Sequence, residues 1–354
     1  DALSSRGAAK AAGVAPETLD MIRTVMEADG TLGATGRSNM AAAGGDAMLA
    51  DAGPNARAVL DTAIQRGGPG AVAARDAIAS RTTNAAAAVD DALNKALGAP
   101  QGVTATRTAI REGSSAARSS AYDGAYKVAI DYAAPQGQAL EQIIKSRVPH
   151  SAISAANELM RTEGKASHQI LAKIAEDGSV AFEALPDVRQ IDYITRGLNE
   201  IADQADGAGK LGGTTARGRA YGNLSREIRD ILRDLVPEYG VALETAADPI
   251  RRSKAVELGA KLLSPSMTRD QVDEAVRGMT VAEKSALAGG IRSQIDDMMA
   301  RVTRTVQDGD IDAREAVKAI KDLSSRANRE KLTAAIGEAK AEALFSEIDR
   351  ATKS

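Results

Sequence analysis

The sequence predicts an all-α protein: a multi-helix bundle of about a dozen helices, two or more of them long, with a C-terminal set of short helices. Three observations predict it. Apolar residues recur at intervals of three and four along most of the chain. The apolar supply is mostly Ala, Leu, Ile and Val, while aromatics make up 2% and tryptophan is absent, which favours close packing through small side chains. Glycine and proline fall between the periodic stretches, where helices start and stop.

The elements follow in chain order. Residues 16–30 read as a first helix, with Leu19, Ile22 and Met26 on one face and Gly30 as its stop. Short helical pieces follow. Residues 71–98 then run nearly unbroken, a helix of about 40 Å at roughly 1.5 Å per residue. From Val103 to Tyr132 a second long helix is expected, carrying Ile110, Tyr122, Tyr126 and Ile130 and closed by Pro135. Residues 138–148 and 151–164 read as shorter helices, and "EDGSVAF" (176–182) is the one strand-like stretch.

Asp187 with Gln190 three residues later has the form of a capping box. Behind it, Ile191, Ile194, Leu198 and Ile201 form one helical stripe, and Leu224, Ile228, Ile231, Leu232 and Leu235 form another. Two stripes joined by a short polar loop predict an antiparallel helical hairpin within 187–264. Ile191, Ile194, Leu198, Leu224, Ile228 and Leu235 are read as core. Three further capping boxes follow, at Thr268/Gln271, Thr280/Glu283 and Asp312/Glu315. The change of texture near Ser264–Ser266 suggests a boundary. The expected division is an Ala/Gly-rich helical segment at 1–102, a long-helix bundle at 103–264 and a small helical domain at 265–354.

Composition narrows the function. A net charge of −3 and a pI near 5.7 give no bulk attraction to nucleic acid or anionic membrane. The absence of cysteine excludes disulfides, thiolate metal sites and cysteine nucleophiles. Only His150 and His168 could supply imidazole, so a zinc site of several histidines is excluded. No stretch approaches the roughly 20 apolar residues that span a bilayer. The first residues lack the apolar core of a signal peptide and an initiator methionine, so a fragment or processed product is expected.

"DGAGKLGGTT" (206–215) raises the one sharp chemical question, because Gly207, Gly209 and Gly212 fit G-x-G-x-x-G with Lys210 inside. Such a loop binds a pyrophosphate when a strand delivers it and a helix receives it. Here the preceding element has period 3.6. Leu211 also stands where a P-loop needs Ser or Thr. The stretch reads as a hairpin loop, with Gly207 ending one helix and Thr214 or Thr215 capping the next.

Other candidates read as structural or solvated. His168 is placed on a helix within "GKASHQILAKI", and His150 follows Pro149 in a loop. Asp90–Asp91 and Asp296–Asp297 are helical neighbours that point about 100° apart, so neither pair converges on one bond. The basic runs at 214–226 and 248–254 are diluted by Glu227, Asp230 and Glu257. No catalytic, cofactor-binding or metal-ligating residue is expected, nor a small-molecule substrate.

One ordered series carries a resemblance: "PETLDMIRTVMEADG", "GPGAVAARDAIASRTTNAAAAVDDALNKALG", "ARSSAYDGAY", "VRQIDYITRGLNEI" and "LSREIRDILRDLVPEYGVALETAADPIRRSKAVELGAKLL". Over roughly residues 15–265 it resembles the large helical internal virion (ejection-type) proteins of tailed phages and prophages of proteobacteria. Residues 332–351 are similar in texture only. The resemblance implies a non-enzymatic virion structural protein that accompanies DNA into the host and assembles a conduit. It implies a homo-oligomer, neighbours such as the portal or other internal proteins, transient contact with DNA or the host envelope, and location in the particle and then the periplasm or envelope. Two other readings stay open. One is a helical scaffold or interaction protein fixed in the particle. The other is a hydrolase whose Asp or Glu residues meet only in three dimensions.

Overall fold

The computed structural model describes residues 16–30, 33–43, 47–176, 179–207, 214–307 and 322–353. These residues form fifteen α-helices and one small two-stranded sheet, so the chain is all-α in its architecture. The packing divides the chain into two compact units, 1–107 with 252–354, and 108–251.

The first unit opens with α1 (Pro16–Ala28), α2 (Ala34–Ala43), a 3-10 turn (Leu49–Ala52) and α3 (Pro54–Arg66). Gly30 follows α1 at φ +65°, the left-handed conformation that ends a helix at least cost in glycine. The long helix is α4 (Pro69–Leu97), 29 residues with Pro69 in its first turn, where no amide proton is needed. The element α5 (Val103–Gly113) follows, and its C-terminal part belongs to the second unit.

The second unit continues with α6 (Ser115–Ala125), α7 (Pro135–Ser146) and α8 (His150–Thr162). The expected helix from Val103 to Tyr132 is therefore broken. It stops at Gly113 and restarts at Ser115. Pro135 begins the next helix rather than closing this one. A 3-10 turn (Ala166–His168) leads to the antiparallel hairpin β1 (Ala172–Ile174) and β2 (Val180–Phe182), with Lys173 opposite Ala181. The strand-like stretch is thus half of a hairpin.

Next come α9 (Val188–Gly207), α10 (Ala216–Leu235) and α11 (Pro237–Gly259). Asp187 and Gln190 form the capping box that opens α9, at 2.8 and 3.0 Å. The helix α9 packs against α8 and α10. Its turn to α10 is pinned by Asp206, which accepts from Thr215 N at 2.6 Å and Thr215 Oγ1 at 2.9 Å, while Thr215 caps α10 through Gly218 N. These two helices are the expected hairpin, and 187–264 holds α11 as a third helix. Ile191, Ile194, Leu198, Leu224 and Ile228 are buried, and Leu235 packs partly buried against the same core. A methyl added at Gly197 would lie 2.3 Å from Ala152 O, so α8 and α9 touch backbone to backbone.

The C-terminal helices of the first unit are α12 (Arg269–Arg277), α13 (Val281–Gln307), α14 (Arg326–Ile336) and α15 (Glu338–Lys353). The Thr268/Gln271 and Thr280/Glu283 boxes open α12 and α13. The Asp312/Glu315 box lies outside the described residues. The expected boundary at Ser264–Ser266 is crossed by packing. Gly259 and Gly290 bring α11 and α13 together, Leu263 N donates to Gln294 Oε1 at 3.0 Å, and Lys331 Nζ donates to Ser264 O at 2.9 Å. The Ala-rich α4 packs on α13 and α15, so the N-terminal segment and the C-terminal helices share one unit.

Candidate functional site

Two polar centres and a concave surface stand out among the described residues. The first centre lies in the second unit. Asp192 of α9 is 4% exposed, and its carboxylate accepts from Tyr239 Oη at 2.7 Å and Tyr126 Oη at 2.9 Å. Tyr122 lies beside both rings, with centroids 5.6 Å from Tyr126 and 6.5 Å from Tyr239. The network continues through Thr195. Its hydroxyl donates to Asp192 O at 2.8 Å and accepts from Arg229 Nε at 3.2 Å, and its carbonyl accepts from Ser225 Oγ at 3.0 Å. Burial, and then the Asp192 charge, push the Tyr126 and Tyr239 hydroxyls far above the ordinary tyrosine range. They therefore remain protonated donors. Each carboxylate oxygen takes one tyrosine hydroxyl, so the arrangement ties α9 to α11 and to the end of α6.

The second centre lies in the first unit around Arg292 of α13, which is 1% exposed. Its guanidinium bonds to Asp90 and Asp296, and to Asn94 Oδ1 at 3.2 Å. The two acidic pairs were expected to be solvated. Asp90, Asp91 and Asp297 are exposed and Asp296 is partly buried, and Asp90 and Asp296, one from each pair, meet at the same guanidinium. Burial raises the Asp296 carboxyl above its usual range, against the pull of Arg292.

The concave surface also lies in the first unit. A groove of about 550 Å³ runs among the ends of α4, α13, α14 and α15. Its lining includes Lys95, Lys284 and Lys340 and contains no carboxylate.

The remaining candidates disperse. His150 is the exposed first residue of α8, 3.4 Å from Ser154 Oγ through Nδ1. His168 was expected on a helix. It sits instead in the 3-10 turn, because Gly164 leaves α8 at φ +71° and Asn157 binds the backbone of Ile170 through both side-chain ends, at 2.9 and 2.7 Å. The element before the glycine loop is α9, not a strand. Gly207 is its last residue, and Gly209, Lys210 and Gly212 lie outside the described residues. Of the basic runs, Arg217 stacks on Tyr221 with 5.6 Å to the ring centroid, and Arg226 bonds Asn223 at 2.6 Å. Among the described residues no cluster of three His, Cys, Asp or Glu could hold a metal, and no helix is long and apolar enough to cross a membrane.

Sequence reasoning missed both polar centres and the groove. Asp192 carried no signal for the first, since it stands next to the Ile191 stripe and among the polar residues Arg189, Gln190 and Arg196. Arg292 carried none, because an arginine in a charged helix ordinarily faces water. Compared with known proteins, the chain matches no family model, no curated protein and no solved structure.

Proposed function

We propose that this chain is a non-enzymatic structural protein of a phage particle. In this reading it is an internal protein that leaves with the DNA and assembles, as a homo-oligomer and with portal or other internal proteins, into a conduit at the host envelope. The resemblance of the ordered segments motivates it. Every one of those segments falls on helices here, from α1 and α4 through α6 and α9 to α10 and α11. The observation that carries most weight is how the second unit is held. Its helices α8, α9 and α10 pack as sequence neighbours around one apolar core, joined by longer-range hydrogen bonds such as Tyr126 to Asp192, with no cysteine in the chain to cross-link them. Such a unit can be unfolded to thread a narrow portal, and contacts of short sequence separation reform fast.

Quantitative mass spectrometry of purified particles before and after triggered DNA release tests the reading. The chain is expected in full particles and depleted from emptied ones. Retention in the emptied particle would make it a fixed scaffold instead. Absence from particles altogether would overturn the virion assignment.

A further inference from the structure

The lysine-lined groove of the first unit adjoins a second groove, of about 530 Å³, between α4 and α15. The two share Lys95, Ala96 and Lys340, so they form one continuous depression. The walls of the second groove carry the methyl groups of Ala88, Ala92 and Ala96 from α4 and of Ala339 and Ala343 from α15, with the carboxylates of Asp91 and Glu347 among them. At the other end Leu97, Val276 and Ile336 supply an apolar floor, and Val281 stands at the rim, 86% exposed.

The charges are one-sided only at the end floored by Leu97, Val276 and Ile336. Lys95 pairs with Asp91 on its own helix. Lys284 and Lys340 have no ion-pair partner among the described residues, and no carboxylate lines that end. Two ammonium groups beside an apolar floor call for carboxylates on an apolar body. No aromatic ring lines either groove, so there is no platform for a stacked base.

We propose that this depression is a docking site for an acidic amphipathic helix of a partner protein. Alanine walls let an incoming helix approach closely, with its larger apolar side chains filling the space the methyl groups leave. The stretch of α4 from Ala88 to Gly98 runs about 15 Å at 1.5 Å per residue, which matches about three turns of the incoming helix. Its carboxylates meet Lys284 and Lys340, and its leucine-type residues at i, i+3, i+4 and i+7 cover the floor. The inference stands apart from the virion reading, since it uses only the shape and charge of this surface.

The chain has no cysteine, so Val281→Cys introduces a unique thiol at the rim. An environment-sensitive dye on that thiol of the full chain would be titrated with a synthetic helical peptide of Glu and Leu. A second peptide with every Glu replaced by Lys, and a short DNA duplex, serve as controls. The Glu/Leu peptide is expected to give a saturable dye shift, and Lys284→Glu with Lys340→Glu to weaken it tenfold or more. Both lysines are exposed, and the double variant is expected to keep the parental circular dichroism and melting temperature. Lys284→Gln with Lys340→Gln should show a smaller loss in the same direction. The same dye on Ile174→Cys, in the hairpin of the other unit, should stay silent. The proposal is overturned if no saturable shift occurs, if the charge reversal leaves affinity unchanged, if the Lys/Leu peptide binds equally, if the hairpin dye responds alike, or if the duplex outcompetes the peptide.

Discussion

Replacing Asp192 by alanine should unfasten the second unit by about 3 kcal/mol. The change removes the acceptor of two tyrosine hydroxyls at once, at 2.7 Å for Tyr239 and 2.9 Å for Tyr126. A buried hydroxyl left without a partner costs about 1–3 kcal/mol. Tyr239 is fully buried and should lie toward the upper end, whereas half-buried Tyr126 can recruit water and should lie near the lower end. Asp192→Asn keeps one acceptor and sets an amide against the other hydroxyl, whose oxygen can accept, so it should cost only about 1 kcal/mol. Tyr239→Phe in the Asp192→Ala background should then add little, because the hydroxyl it removes has already lost its partner. The assay is urea unfolding followed by the near-ultraviolet circular dichroism of tyrosine. All six tyrosines lie between residues 122 and 239, so that signal reads the second unit even if the two units unfold separately. A cost below about 1 kcal/mol for Asp192→Ala, or strict additivity with Tyr239→Phe, would show that the buried carboxylate does not hold these helices and would refute the reasoning.

Three further outcomes are expected. An alanine methyl at Gly290 would sit 2.1 Å from Val256 O, where only backbone could yield, so Gly290→Ala should cost at least about 1–3 kcal/mol in thermal melts. Gly289→Ala, which meets nothing within 4 Å, should be neutral or stabilising by about 0.5–1 kcal/mol. Alkali should weaken the second unit. Tyr122, Tyr126, Tyr132, Tyr193 and Tyr239 are all raised, chiefly by burial, so above about pH 10 the unfolded chain loses protons that the folded chain keeps. Stability is then fully present below that pH and falls above it. Urea midpoints at rising pH check this, and a flat profile to pH 11 contradicts it. Arg292→Ala, which strands the partly buried Asp296, should cost about 3–5 kcal/mol. Asp90→Asn should cost less than about 1 kcal/mol, because the Asp90 side chain is 59% exposed. Hydrogen exchange of the α13 amides distinguishes the two.

Helix positions were legible because their causes are local. The Asp187/Gln190, Thr268/Gln271 and Thr280/Glu283 pairs sit three residues apart, satisfy free amides of the first turn, and are formed as read. The stripes of α9 and α10 face the core for the same reason, since period 3.6 places their residues on one side whatever they pack against. The break at Gly113–Ser115 and the 3-10 turn at Ala166–His168, where a helix was expected, were missed. The path after α8 was decided by a contact beyond helical range, since Asn157 binds both backbone groups of Ile170.

By itself, then, the sequence determined an all-α chain, the buried stripes of α9 and α10, and the capping of their starts. These depend on interactions within three or four residues. Only the tertiary structure decided that residues 1–107 share a unit with 252–354, that Asp192 gathers two tyrosines from 47 and 66 residues away, and that Asp90 and Asp296 meet at Arg292. The physical reason is that helical periodicity names the face to be buried but not its partner. The partner is selected by shape and by the satisfaction of buried polar groups, such as the close approach of Gly259 and Gly290, between residues the chain brings together only when it folds.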